Sequence, residues 1–323
     1  MKNLNIAKEV IKSYSITSTN YQFIAQSGNV IYKVTDNNNK EYCLRLNISK
    51  DNALDEKWTN KQAINSEMLW LNHLSKYSQA NVQKPYANNN NEFVTTINGV
   101  NCTLLSWLRG EHKPYVQTKQ DALLLGDMIA KIHQKSAQYK TTKSFKRPSY
   151  NASYIESALA KLSKADEYGL NKYHIETLKK AGIKILNLYQ NIEKSEDMWG
   201  LIHADIGCSN IIFNGDNVGL IDFGACGYGF YLRDIASLFG YTPLSLRKYV
   251  FEAYNNIYKL PPNYVQLTEA FFVAAILESL NFFLEVNDTK EWLANYINKL
   301  THREILSFIN NESFLYSGKP FWE

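Results

Sequence analysis

Residues 200–224 read GLIHADIGCSNIIFNGDNVGLIDFG, and the reading of this stretch decides the fold. It opens on His203-x-Asp205, reaches Asn210 five residues later and closes on Asp222-Phe223-Gly224. Two apolar runs, IIF at 211–213 and VGLI at 218–221, flank a turn at Asn214-Gly215-Asp216. Short apolar strands around such a turn form a hairpin, and a hairpin here brings Asn210 and Asp222 together from its two ends. Converging oxygen-bearing side chains suit a hard cation such as Mg²⁺, which keeps waters and adds substrate phosphates to its shell. Asp205 stands close by, able to orient a hydroxyl and accept its proton. Metal on the phosphates and one carboxylate on the nucleophile is the division of labour that phosphoryl transfer needs. Asp and Asn each favour turns on their own account, so it is the ordered set that carries the reading.

HxDxxxxN followed by a hairpin and DFG resembles the protein-kinase-like phosphotransferases, in particular the aminoglycoside phosphotransferase, choline kinase and type II homoserine kinase group. The resemblance implies an α+β, two-lobed protein-kinase-like fold, with a small antiparallel β-rich N-lobe and a larger helical C-lobe. It implies ATP and Mg²⁺ as cofactors, Asp205 as catalytic base, His203 as the support of the catalytic loop, and Asn210 and Asp222 as Mg²⁺ ligands. One departure stands out: many relatives carry His-Pro inside this loop, where this chain has Gly207-Cys208.

Working outward, the first third is strand-rich. Apolar and polar residues alternate at 21–25, 30–35 and 41–47, and two further strands at 93–97 and 100–106 turn at Asn98-Gly99. Between them a helix over 59–77 carries Ile64, Met68, Leu71 and Leu74 at helical spacing. After Gly110 helical periodicity takes over, with Leu125, Met128, Ile129 and Ile132 marking a helix that ends near His133. These shifts predict an N-terminal nucleotide-binding lobe over 1–107 and a helical C-terminal lobe over 108–323 holding the catalytic loop and the acceptor site. Clefts between lobes are favoured ligand sites.

On the third strand, Tyr42, Leu44 and Leu46 share one face and leave Cys43 and Arg45 on the other. The resemblance implies Arg45 as the strand cation that holds the phosphates, where protein kinases have Lys, and Cys43 as packing against the adenine. Glu67 lies on the apolar face of the helix, and its neighbours Ala63, Ile64, Trp70 and Leu71 offer no cation. An acid facing inward needs a partner from elsewhere, and Arg45 is the natural one. Ser27-Gly28-Asn29 would lie over the phosphates as the family's nucleotide loop does, although a plain hairpin turn explains it equally well. Ser106 and Trp107, in LLSWL at 104–108, resemble the hinge whose backbone groups bind the adenine edge. His133 reads as a helix-end residue and Asp234 as a brace of the catalytic loop. Glu278 and Asn281, polar on a very apolar helix, either reach an acceptor pocket or lie on a solvated edge. The segment 314–322, FLYSGKPFW, is similar to the close of type II homoserine-kinase-like proteins.

Composition excludes several other classes. Of 323 residues 45% are hydrophobic, enough for a sizeable core, and the net charge of +4 falls short of the concentrated basic charge of a nucleic-acid binder. Four cysteines with no CxxC pair argue against zinc and disulfides and for a reducing cytosol. The longest apolar run, 270–277, stops at Glu278, well short of the roughly 20 residues a membrane span needs. The expectation is a cytoplasmic ATP- and Mg²⁺-dependent kinase that phosphorylates a hydroxyl on a small molecule: an amino alcohol, a sugar or an aminoglycoside-like antibiotic. A protein Ser/Thr kinase of the same fold is an alternative, but only residues 225–233 separate DFG from Asp234, and no APE motif follows. A silent nucleotide-binding module is another; it usually lacks one of the site residues, and here Asp205, Asn210 and Asp222 are all present.

Overall fold

The computed structural model describes residues 2–26, 28–48 and 60–317. Helix α1 (Lys2–Ile11) turns Ile6, Ala7, Val10 and Ile11 inward. They meet one face of an antiparallel sheet whose strands are β1 (Ser18–Gln26), β2 (Val30–Asp36), β3 (Glu41–Leu46) and, after helix α2 (Lys61–Tyr77), the later strands. These are β5 (Pro85–Tyr86), β6 (Thr95–Ile97) and β7 (Val100–Ser106); β4 (Asn81–Val82), which precedes them, belongs to a different sheet. The sheet runs β1-β2-β3-β7-β5, with β6 also on β7. β3 is therefore central, and Arg45 is held between Ile31 on one side and Thr103 on the other. The two-residue period does the rest: Tyr42, Leu44 and Leu46 join the cluster under α1. Cys43 joins the cluster that contains Met68, Trp70, Leu71 and Leu74 of α2. Asn98 and Gly99 both take positive φ (49° and 79°), the conformation a two-residue hairpin turn demands.

The C-terminal part is built from α3 (Lys119–Ala137), α4 (Ala152–Lys161), α5 (Lys172–Asn191), α6 (Tyr231–Phe239), α7 (Leu244–Ile257) and α8 (Tyr264–Phe283). Among them lie β8 (Trp199–Ile202), the hairpin β9 (Ile211–Asn214) and β10 (Asn217–Leu220), and β11 (Gly227–Phe230), which pairs antiparallel with β8. A capping box starts α3, Thr118 accepting from the Asp121 amide while the Asp121 carboxylate accepts from the Thr118 amide. At Gly126 α3 crosses α7 so closely that a Cβ would stand 2.2 Å from the Val250 carbonyl oxygen. This is the two-lobed architecture expected: an antiparallel small lobe followed by a helical one.

Two features differ from the sequence reading. The strand expected from residue 93 begins at Thr95, and β4 and β5 were not foreseen, because two residues carry no period. Yet β4 pairs in parallel with β10, Asn81 opposite Gly219 and Val82 opposite Leu220. The chain before residue 107 is thereby stitched to the hairpin that carries the site, and one apolar cluster runs from Cys43 and Trp70 through Phe223 into α3 and α8. Helix α8 is long and apolar enough to cross a bilayer by length and composition, but 67% of that window is buried inside the protein. It also anchors the chain's end: Glu269 accepts from the Phe314 and Leu315 amides, both at 2.8 Å, and from Ser313 Oγ at 2.6 Å. The remainder of the 314–322 segment, from 318 on, lies outside the described residues.

Candidate active site

β8 delivers the chain into the loop that starts at His203. Ala204 is left-handed (φ 67°), which costs a non-glycine residue on the order of 1–3 kcal/mol and persists only where the surroundings enforce it. Asp234, in the first turn of α6, enforces it from one side, accepting from the His203 amide at 2.8 Å and the Ala204 amide at 2.7 Å. Arg233 enforces it from the other, Nη1 donating to the Ala204 carbonyl at 2.7 Å. Behind Asp234 stands His133, wholly buried, with Nε2 3.1 Å from the carboxylate and Nδ1 2.9 Å from the Tyr254 hydroxyl. His133 is thus not a helix-end residue. α3 continues to Ala137, and the ring braces the loop that carries Asp205 through Asp234. Burial alone would push the Asp234 carboxyl up, but the hydrogen bond and charge of His133, together with His203, hold it below the usual carboxylate value.

His203 links the loop to the DFG turn. Its Nδ1 accepts from the Asp205 amide at 3.2 Å, so the network places the proton on Nε2, which donates to the Ile221 carbonyl at 3.0 Å. Its ring meets Phe223 edge-on at 4.6 Å. The Ile221 amide donates to the Asn210 carbonyl at 2.9 Å, closing the open end of the hairpin, so Asn210 and Asp222 are neighbours as the hairpin predicted. Asn210 Nδ2 donates to both the carbonyl and Oδ2 of Asp205, each at 2.9 Å. Asp222 is also left-handed (φ 58°), its Oδ1 accepting from the Gly224 amide at 3.3 Å. The Asp205 carboxylate opens into the cleft. Enclosure there raises its pKa, and the charge of Asp222 adds to the rise against the opposing pull of His203.

From the small lobe comes the ion pair the sequence predicted. Arg45 Nη1 and Nη2 donate to Glu67 Oε1 and Oε2 at 2.7 and 2.8 Å, and both residues are 3% exposed or less. Arg45 Nε is buried without a partner among the described residues. Trp70, one turn beyond Glu67, meets Phe223 edge-on at 5.4 Å and so fixes α2 against the DFG turn. Arg147, absent from the sequence reading, ties the same parts together. It donates to the carbonyls of Cys226 (2.7 Å), Ala63 (3.3 Å) and Gly224. It lies outside any helix or strand, where no periodicity could have singled it out.

A cavity of about 360 Å³ gathers Gly28, Asn29, Arg45, Glu67, Asp205 and Asp222 on one wall. His203 and Asn210 stand behind that wall, both buried. Cys43 is buried there too, its thiol pushed up to about 11 by burial. Ser27 lies outside the described residues. Ser106 and Trp107 do not line the cavity. The Ser106 amide donates to the Lys84 carbonyl at 2.8 Å and its carbonyl accepts from Gln83 Nε2 at 3.1 Å, so the segment around β5 already occupies the backbone groups expected to face a base. The Trp107 indole lies under Lys33, 5.0 Å from its ammonium.

The opposite wall comes from α4, α8 and the loop before α4: Tyr150, Tyr154, Glu278, Phe282 and Phe283. Glu278 is buried and accepts from Arg233 Nε at 2.5 Å and from the Tyr189 hydroxyl at 3.3 Å. The Arg233 guanidinium lies 4.3 Å over the Tyr150 ring, whose hydroxyl donates to the Ala225 carbonyl at 2.6 Å. Asn281 faces α4 instead, accepting from Ser157 Oγ and donating to the Tyr154 carbonyl. Among the described residues no three His, Cys, Asp or Glu side chains group to hold a metal alone. The oxygen donors of Asn210 and Asp222 do fit a hard cation whose remaining positions are filled by water and phosphate. The four cysteines are free and buried, and burial pushes the Cys208 thiol up to about 11 and the Cys226 thiol up to about 12.

The profile of the phosphotransferase enzyme family (APH) matches residues 21–267. The chain belongs to this family. Among curated relatives of this phosphotransferase, the amicoumacin kinase of Bacillus subtilis (strain 168) is 22% identical over 244 residues. That match covers 72% of this chain and 66% of the relative, just under two thirds of the relative's length. An amicoumacin kinase solved in complex with AMP-PNP, Ca²⁺ and Ami superposes with a TM-score of 0.77 at 16% identity, over 97% of this chain and 96% of that one. A microcompartment-associated aminopropanol kinase superposes at 0.75 with 19% identity, over 94% and 98%. At such identities the likeness establishes the shared fold. The phosphotransferase's Arg233 and Glu278 escaped the sequence reading in part. The signal that found Glu67, an acid on an apolar helix face with no local partner, was also present at Glu278.

Proposed function

We propose that this phosphotransferase moves the γ-phosphoryl group of ATP, with Mg²⁺, onto a hydroxyl of a small molecule held against the aromatic wall of the cleft. One observation carries the reading: Asp205 lines a single cavity with the Arg45–Glu67 pair on one side and Tyr150, Tyr154 and Phe282 on the other. Asn210 Nδ2 engages Asp205 Oδ2, which leaves Oδ1 to orient the acceptor hydroxyl and take its proton. A carboxyl raised from its ordinary value is a stronger base for that task. Gly28 and Asn29 cover the phosphates, and Arg45, locked by both Nη atoms onto Glu67 and lining the same cavity, brings the positive charge of its guanidinium to them. Asn210 and Asp222 would hold Mg²⁺, which when bound neutralises charge on the phosphates. The AMP-PNP and Ca²⁺ held by the structurally similar amicoumacin kinase support the choice of a nucleotide and a divalent cation.

The aromatic wall of Tyr150, Tyr154, Phe282 and Phe283 beside Asp205 offers a small acceptor apolar surface to rest against. A protein acceptor is disfavoured because β11 pairs with β8 directly after the DFG turn and α6 begins at Tyr231, which leaves no platform for a peptide. The test is ADP release across a panel of hydroxyl-bearing metabolites and antibiotics, with Asp205→Asn as the control. Turnover of at least one compound, abolished in the variant, is the expected result. Ser/Thr phosphorylation of proteins with no small compound turned over would overturn the reading.

A further inference from the structure

We infer that Arg233 and Glu278 are positioning residues: they tie the acceptor wall to the peptide that sets the direction of Asp205. The inference rests on the function proposed above. Glu278 belongs to α8, whose Ser279, Phe282 and Phe283 line the cavity beside it. Its Oε2 accepts from Arg233 Nε and its Oε1 from the Tyr189 hydroxyl, and the side chain is buried between them. What it does is fix the guanidinium. That guanidinium then makes two further contacts, one face on the Tyr150 ring at 4.3 Å and Nη1 on the Ala204 carbonyl at 2.7 Å.

The Ala204 carbonyl belongs to the peptide that leads into Asp205, and Ala204 holds a left-handed conformation that other residues must enforce. The amide side of Ala204 is held by Asp234, whose other partners, His133 and the His203 amide, lie in the interior. Among the described residues the carbonyl side is held only through Arg233, and Arg233 takes its position from Glu278 and Tyr150, both on the cavity wall. A molecule pressing on α8 or Tyr150 therefore reaches Asp205 through Arg233, while the Asp234 side stays fixed. Buried ion pairs add little net stability over apolar packing, so stability alone gives little reason for the pair, whereas the loop contact does.

The experiment compares Arg233→Met, Glu278→Leu and the double variant with the wild type. It reads thermal midpoint, AMP-PNP affinity, and kcat and KM of intrinsic ATP hydrolysis, in which water stands in for the unidentified acceptor. Each single variant strands a buried charge and should lose thermal stability. The double variant removes both charges, so its midpoint should return toward wild type. Its hydrolysis kcat should stay down by about 10- to 100-fold, the range a misplaced catalytic group produces, with KM for ATP and AMP-PNP affinity within about twofold. Recovery of kcat together with the midpoint would show a purely structural pair and overturn the inference. Should the double variant not fold, Arg233→Lys decides: a single ammonium keeps the charge beside Glu278 but cannot also span to the Ala204 carbonyl. A folded Arg233→Lys enzyme with wild-type kcat overturns the inference, and a selective fall in kcat supports it. Asp205→Asn is measured alongside. If it leaves hydrolysis unchanged, the base assignment fails and this inference with it. If it cuts hydrolysis while the Arg233 variants do not, the positioning role alone fails.

Discussion

Arg45–Glu67 and Arg233–Glu278 are the same chemistry at opposite ends of one cleft, and they are wired differently. In the first pair both Nη atoms meet both carboxylate oxygens, and Nε is left without a partner among the described residues. In the second, one nitrogen meets the carboxylate and another meets a backbone carbonyl of the catalytic loop. Breaking either pair strands a charge in the interior, whereas keeping it gains little over apolar packing. The difference teaches that such pairs diverge in where they reach next: the first closes on itself, and the second extends to hold a loop in a left-handed turn.

The largest expected effect tests what lies between them. Asp205→Asn should lower kcat by about 10²–10⁴-fold, the usual contribution of a general base, while nucleotide affinity stays unchanged. Wild-type turnover with any acceptor found in the panel would mean the two pairs do not flank a base at all. Next comes the nucleotide-side pair. Glu67→Ala should cost about 3–5 kcal/mol in chemical denaturation by leaving Arg45 buried and unpaired, and should weaken ATP binding as well. A loss below about 1 kcal/mol is what an exposed pair would show, and it would break the likeness between the two ends.

The interior brace is expected to be weaker and dependent on pH. Asp234→Asn should cost about 1.5–3 kcal/mol at pH 7, the worth of hydrogen bonds to a charged group. The folded-state carboxyl lies below the unfolded value of about 3.9. The unfolded chain therefore binds the proton more readily, and the stabilisation is fully present above about pH 4 and lost as pH falls through the folded value. Denaturation of wild type and variant from pH 7 to pH 3 should show their gap closing in the acid range, and a gap that stays constant would exclude an ionised Asp234. The smallest effect sharpens the acceptor-side pair. Tyr189→Phe removes only the 3.3 Å bond to Glu278. It should cost about 0.5–1.5 kcal/mol and leave kcat unchanged, because Arg233 keeps its own hold on Glu278.

Legibility in the sequence followed locality. His203, Asp205, Asn210 and Asp222 lie within one loop and hairpin, so their order along the chain already implied their meeting in space. Glu67 was readable because α2 has one apolar face and an unpaired acid on it, which demanded a partner that the alternation of β3 could supply. On α8 the same demand existed at Glu278, but that helix is apolar nearly all round, so position on it pointed in no direction. The cation that answers it stands 45 residues earlier on another helix.

By itself, then, the sequence determined the β-rich then helical order, the hairpin that joins Asn210 to Asp222 and the Arg45–Glu67 pair. Only the tertiary structure decided that two-residue β4 would stitch the small lobe to the catalytic hairpin, that His133 would brace Asp234, that Arg147 would bolt α2 to the DFG segment, and that the backbone of Ser106 would be occupied by its neighbours. The physical reason is that periodicity states which face of an element is buried and where a charge lacks a local partner. What that face is buried against depends on contacts between segments far apart in the chain, and no local pattern encodes them.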